Sequence, residues 1–411
     1  MSVQRSLCLI RAALGVHVFA FLASFAARDA LAQSVAFTAH GTILHTGNSL
    51  SLSGQSNANG PGTTPSGHTL ISLDSMAVDS VPANAANPWF ASTTADYLMD
   101  GSAAVLNIPA QANILHAELI WGGSYNYGGE NLTSAIDEAV TFQTPAGGSA
   151  AISPDPSWSH TINQLASGGF TAAYYVRAAD VTALVASGGE GTYKVSGVPV
   201  TQHETINALN GGGWALVVVA EYAQAPCRSL SVQSVGKWID ENNAADAAFS
   251  NLSTPASGAV SGRAVVGAIA GDASLTGDSL LILMPGTSNY LPLSGPNNSQ
   301  NNFFASQIND GDGLLDTSGT FGTRNHNAAG TTQTIGGRQG WDLTAIALDS
   351  ASGELAPVQA TAALRFTTTG DAYVATFAGF EADSVGSCPA PPGDGIFVDG
   401  FEAKLGKEGT E

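Results

Sequence analysis

Positive charge is scarce in this chain. Lys and Arg number 13 against 33 Asp and Glu in 411 residues, for a net charge of −20. Phosphate recognition needs Lys and Arg in clusters, and none is present, so nucleic-acid binding is excluded and an anionic membrane surface is disfavoured. Charge of either sign is sparse, at 11% of residues. Cysteine occurs three times, and neither a Cys-x-x-Cys nor a His-Glu-x-x-His pattern exists, which argues against zinc. Helical periodicity is thin, and past the N-terminal segment no stretch is apolar enough to span a bilayer.

Glycine and apolar residues fill the space that charge leaves. Gly stands at 48 positions, about 12%, and hydrophobic residues make up 44%. That is ample for a packed core. Few charges with much Gly, Ser, Thr, Asn and Ala point to an extracellular β-rich protein.

Residues 1–32 read as a secretory signal. Arg5 and Arg11 form its basic part, and Ala12–Ala27 forms the apolar part. Ala30-Leu31-Ala32 offers small residues for cleavage before Gln33. The apolar part is too short for a spanning helix and ends in Arg28-Asp29. Cleavage would leave 10 basic against 32 acidic side chains, a net −22. Cys227 and Cys388 would then be the two remaining cysteines, and an oxidising compartment favours a bridge between them.

Strand-like runs recur between Gly, Asn, Pro and Ser clusters. They cover 103–108, 114–121, 172–177, 191–198, 214–222, 230–239, 264–270, 279–284, 341–348, 359–367 and 373–380. Ile114–Trp121 partly alternates, which predicts a wet face carrying His116 and Glu118. Trp214–Ala220 is apolar throughout and predicts a strand buried on both faces. Ala179–Ala186 and Asn242–Phe249 are the two short helix candidates. Segments 54–67 and 285–302 read as mobile loops. The fold class is therefore all-β, as one large jelly roll or two packed β-sandwiches with one or two short helices. In the second arrangement the N-terminal sandwich covers 33–240, the C-terminal one 241–384, and a flexible tail 385–411.

Several phrases in fixed order carry a resemblance. They are Ile114–Gly123, Ala179–Val198, Gly213–Tyr222, Arg228–Val232, Gly271–Leu281, Asn301–Ile308 and Phe366–Phe377. Together they resemble a secreted β-sandwich module of large bacterial surface proteins of the adhesin-like kind. That resemblance implies export, a β-sandwich and no enzymatic activity. The tail Gly393–Glu402 (GDGIFVDGFE) is similar to short C-terminal tails of secreted gammaproteobacterial proteins, which implies a sorting role.

Candidate chemistry is limited. Gly277-Asp278-Ser279-Leu280 resembles the nucleophile block of a lipase and esterase family, which would make Ser279 a serine esterase nucleophile. That chemistry needs a His base oriented by a carboxylate. The Asp-x-x-His that would supply the pair is missing. Calcium is the better cofactor candidate, because hard oxygen ligands on a Gly-rich turn suit it. Asp310, Asp312 and Asp316 form one such turn, and Asp272 with Asp278 another. The plain alternative is a solvated acidic turn. Trp121, Tyr125 and Tyr127 beside Gly122-Gly123 are candidates for stacking on sugar rings, with a core Trp and loop tyrosines as the alternative. The expected partners are extracellular glycans or surface proteins. The leading expectation is a non-catalytic structural or adhesion module at the cell surface or secreted. The competing one is a carbohydrate-binding jelly roll stabilised by calcium.

Overall fold

A computed structural model describes residues 33–53, 69–72, 93–94, 96–167, 170–201, 209–272, 275–320, 327–328, 335–336, 340–386 and 388. The expected signal at 1–32, the loop 54–67 and the tail motif 393–402 lie outside the described residues. Among the described residues the regular structure is nearly all strand. In order, β1 is Ser34–Ser49, β2 Ser51–Ser53, β3 Thr69–Ser72, β4 Thr93–Thr94, β5 Ser102–Leu106, β6 Asn113–Tyr127, β7 Glu130–Asn131 and β8 Val140–Gln143. Next come β9 Ser149–Ile152, β10 His160–Ser167, β11 Phe170–Asp180, β12 Gly191–Ser196, β13 Gly212–Glu221, β14 Cys227–Ile239, β15 Ala245–Phe249 and β16 Ser261–Ile269. The last are β17 Ser279–Leu283, β18 Tyr290–Pro292, β19 Asn327–Ala328, β20 Ile335–Gly336, β21 Trp341–Asp349, β22 Ala362–Thr367 and β23 Tyr373–Asp383. One α-helix, α1, spans Thr182–Gly188, and Gly189 follows it at φ 71°. Asp180 Oδ1 accepts the Thr182 N–H at 2.8 Å just before it. The second expected helix is instead the strand β15, which pairs with β22 from Ala245↔Phe366 to Phe249↔Ala362. Alternate burial along its Ala247 and Phe249 explains the strand, since period two serves a sheet face and not a helix.

One long sheet runs β10-β11-β6-β13-β1-β14-β23-β16-β21. Strand β1 is its joint. Ser34–His40 pairs with β14, and Gly41–Ser49 pairs with β13. The halves on either side of β1 face each other. Their shared core holds Ile120, Tyr174 and Val217 from one half with Val232, Val265 and Phe377 from the other. Each half is covered outside by a four-stranded sheet. Sheet β5-β12-β8-β9 packs on the β6, β11 and β13 half through Trp121, Phe142, Tyr175, Tyr193 and Trp214. Sheet β15-β22-β17-β18 packs on the β16, β21 and β23 half through Phe249, Leu280, Phe304, Phe366 and Phe380. The result is four β layers and three cores.

This layering explains the apolar runs. An inner strand has a core on both faces, so neither face tolerates charge. Every residue of β13 is buried, as Trp214–Ala220 predicts. Strand β6 departs from expectation. His116 and Glu118 are 7% and 1% exposed, so the face that alternation marks as wet is inside. The two polar groups pair with each other, His116 Nε2 lying 3.0 Å from Glu118 Oε2, while Glu118 Oε1 is buried without a partner. The strand β14 ends at Ile239, close to the expected boundary at 240, and pairs with β23 from Arg228↔Asp383 to Ile239↔Tyr373. Strands from the two expected sandwiches therefore share one hydrogen-bonded sheet. At its start, Cys227 bonds Cys388, with an S–S distance of 1.98 Å and Cα atoms 5.8 Å apart.

Candidate functional site

Two acidic centres emerge, and each contains residues singled out in the sequence. The first is a cleft of about 490 Å³ beside the β1 joint. Its wall includes His45, Arg263, Asp310, Asp312 and Asp316. The turn from Asp310 to Asp316 is shaped by its own side chains. Asp310 Oδ1 accepts the N–H groups of Asp312 at 2.9 Å and Leu314 at 3.0 Å, and Asp316 Oδ1 accepts that of Ser318 at 2.7 Å. Gly313 takes φ 74° within it. Such self-bonding is what Asp and Gly do in turns.

Arg263 anchors the other side of the cleft. Its guanidinium donates to the Ile43 carbonyl at 2.5 Å, to Thr42 Oγ1 at 2.7 Å and to the Gly311 carbonyl at 3.1 Å. Glu381 lies behind it, 1% exposed, and accepts from Arg228 at 2.7 Å and from the Ile43 N–H at 2.7 Å. This network ties β1, β14, β16 and β23 together at the joint. Removing one member of such a buried network typically costs about 3–5 kcal/mol, because its partner is left charged and unpaired. His45 contacts the Asn309 carbonyl through Nε2 at 3.0 Å, while its Nδ1 is sealed from solvent without a partner. Burial, aided by Arg263, lowers the His45 pKa to about 4.

The second centre is at one end of the β16, β21 and β23 half. Asp272 and Asp278 lie in the connection from β16 to β17, Asp342 is the second residue of β21, and Asp371 precedes β23. Register brings them together, because Ala268 pairs with Asp342 while Ile269 pairs with Trp341 and with Val374. Asp278 is 0%, Asp342 2% and Asp371 4% exposed. Burial holds all four carboxyls above the usual carboxylate range, and for Asp272, Asp342 and Asp371 their mutual repulsion adds to it. Backbone N–H groups hold three of them in place. Asp278 Oδ2 accepts from Phe304 at 2.5 Å, Asp342 Oδ1 from Gln307 at 2.9 Å, and Asp371 Oδ2 from Asp272 at 2.9 Å.

The remaining sequence candidates fare differently. Trp121, Tyr125 and Tyr127 are 0%, 5% and 3% exposed. Their rings are core, with Tyr125 edge-on to Tyr175 at 6.3 Å, so no ring face is offered to a sugar. Ser279 Oγ donates to the Gln300 carbonyl at 2.6 Å, and among the described residues no histidine is bonded to it. The base that a serine nucleophile needs is not bonded to it among the described residues. Among the described residues no three His, Cys, Asp or Glu side chains meet at one metal position. No helix is long and apolar enough to cross a membrane among the described residues.

Sequence reasoning passes over Asp342, Asp371, His45, Arg263 and Glu381. Asp342 carried a signal, since a lone carboxylate inside the apolar run Trp341–Leu348 is costly to bury. The others are brought in by pairing across long sequence distances.

No family model matches the chain, and no curated protein matches it. A solved structure that is similar over part of its length is a β-porphyranase of glycoside hydrolase family 86 from the human gut bacterium Bacteroides plebeius. The match is 11% identical, covers 71% of this chain and 37% of that chain, and has a TM-score of 0.20. A likeness of that degree carries no argument about fold or activity.

Proposed function

We propose that this chain is a non-catalytic structural module of an exported or cell-surface protein, of the adhesin-like kind. The supporting observation is where its reactive groups go. Ser279 is bonded to a carbonyl, His116 to Glu118, and the three candidate stacking rings are core. Each of these groups is already bonded or buried. The Cys227–Cys388 bridge agrees with an oxidising destination.

Cell fractionation with thiol alkylation tests the reading. The expected product is shorter by residues 1–32, lies outside the cytoplasm, and labels at Cys227 and Cys388 only after reduction. A full-length cytoplasmic product with both thiols labelled directly would overturn it. A second reading, carbohydrate binding, has one observation in its favour: the polar cleft with Arg263 and the Asp310–Asp316 turn. A glycan array decides between them. Specific binding that disappears in Asp312→Asn, an exposed position, supports the second reading, and a silent array supports the first.

A further inference from the structure

We infer that Asp272, Asp278, Asp342 and Asp371 form a binding site for an oxygen-seeking divalent cation, of which calcium is the expected one, clamping the β16–β17 connection to the starts of β21 and β23. The inference goes beyond a structural role and rests on the geometry of this end of the sheet. Four carboxylates from three segments are gathered, with Asp278, Asp342 and Asp371 buried, and no Lys, Arg or His is among the groups acting on any of them. Buried carboxylates are ordinarily paired, protonated or metal-bound. An ionic partner from the protein is missing among these groups.

The unpartnered oxygens point the same way. Asp278 Oδ1 and Asp342 Oδ2 are sealed from solvent and accept no hydrogen bond, although the second oxygen of each is bonded. Each carboxylate is thus fixed by one oxygen and free at the other, as a ligand held ready would be. Gly271 shows where Asp342 Oδ2 faces. A side-chain carbon there would lie 2.6 Å from that oxygen and 2.5 Å from the Phe304 carbonyl oxygen. A carboxylate and a carbonyl oxygen therefore both pack closely on Gly271, next to Asp272. Carboxylates with backbone carbonyls are the donor set that calcium takes, at six to eight oxygens. The four side chains do not meet at one metal position by themselves. The site therefore requires these side chains to close on the cation when it binds.

The test uses the full chain. Terbium stands in for calcium, and Trp341, next to Asp342, and Tyr373, two residues past Asp371, are placed to sensitise its emission. The expected result is sensitised terbium emission that calcium competes away, with a saturable rise in Tm between chelator and millimolar calcium. Asp342→Asn and Asp278→Asn should each weaken calcium binding at least ten-fold, whereas Asp312→Asn in the Asp310–Asp316 turn should leave it unchanged. Should Asp342→Asn not fold, Asp371→Asn is read in its place, and the unsubstituted chain still decides whether the cation binds. Absent emission with an unmoved Tm overturns the inference. So does a calcium response that vanishes in Asp312→Asn, or stabilisation by mild acid alone with no response to either cation.

Discussion

His45 shows how one side chain acquires its chemistry from its surroundings. A carbonyl only accepts, so the 3.0 Å contact to Asn309 places the proton on Nε2 and leaves a lone pair on the sealed Nδ1. The folded protein holds this imidazole neutral down to about pH 4, against the ordinary histidine value of 6.5. The unfolded chain therefore binds the extra proton first, and His45 contributes stability above pH 6.5 that is lost as pH falls toward 4. His45→Gln should flatten that part of the profile. Urea denaturation midpoints from pH 7 to 4 check it, and parallel slopes in the two proteins would refute the assignment. Nothing local to His45 marks it for this role. Its neighbour on one side is Asn309, 264 residues away, and on the other Arg263.

At the scale of elements, β14 shows how a strand is bent to serve two neighbours. Its pairing with β23 shifts between Ser234 and Lys237, and Gly236 sits in the bulge at φ 55°. A Cβ at Gly236 would run into the His160 ring of β10, in the opposite half of the long sheet. Only glycine suits both the left-handed backbone and the close approach. Gly236→Ala should destabilise by about 1–3 kcal/mol, combining backbone strain with displacement of His160. A shift in denaturant midpoint without a change in slope is the expected signature, and a midpoint within error of the parent's would contradict it. Most elements were legible in sequence because their apolar runs are set by burial: 214–222, 264–270 and 341–348 all appear as strands. Strand β1 was not, because Ser34–Ser49 mixes polar residues into its length. It earns its place as a joint through pairing on both edges, which no local pattern encodes. Asn242–Phe249 misled because a short stretch of Ala, Asp and Asn is compatible with either period.

At the scale of the molecule, the Cys227–Cys388 bridge closes 161 residues of sequence. It extends a pairing that already ends at Arg228↔Asp383, so it locks the end of the β14–β23 ladder. Loops of this length correspond to about 5 kcal/mol in the chain-entropy model, and losing a native disulfide typically costs about 2–5 kcal/mol. Reduction, or Cys388→Ser, should lower stability by an amount in that range. Calorimetric Tm with and without reductant measures it, and an unchanged Tm would show that the ladder holds its end without the bond.

The amino-acid sequence by itself determined the class of this protein. Scarce charge, abundant glycine and apolar runs of strand length require buried β-structure, and with Cys8 set aside in the expected signal the two remaining cysteines were enough to foresee the bridge. These are properties of composition and of local period, which need no knowledge of neighbours. The tertiary structure alone decided the stacking of four layers, since that depends on which strand pairs with which. It moved His116 and Glu118 inside and took Trp121, Tyr125 and Tyr127 away from solvent. It also joined Asp272 and Asp278 to Asp342 and Asp371. Burial and charge proximity are sums over distant chain segments, and a carboxylate in a turn takes its character from the strands that close over it.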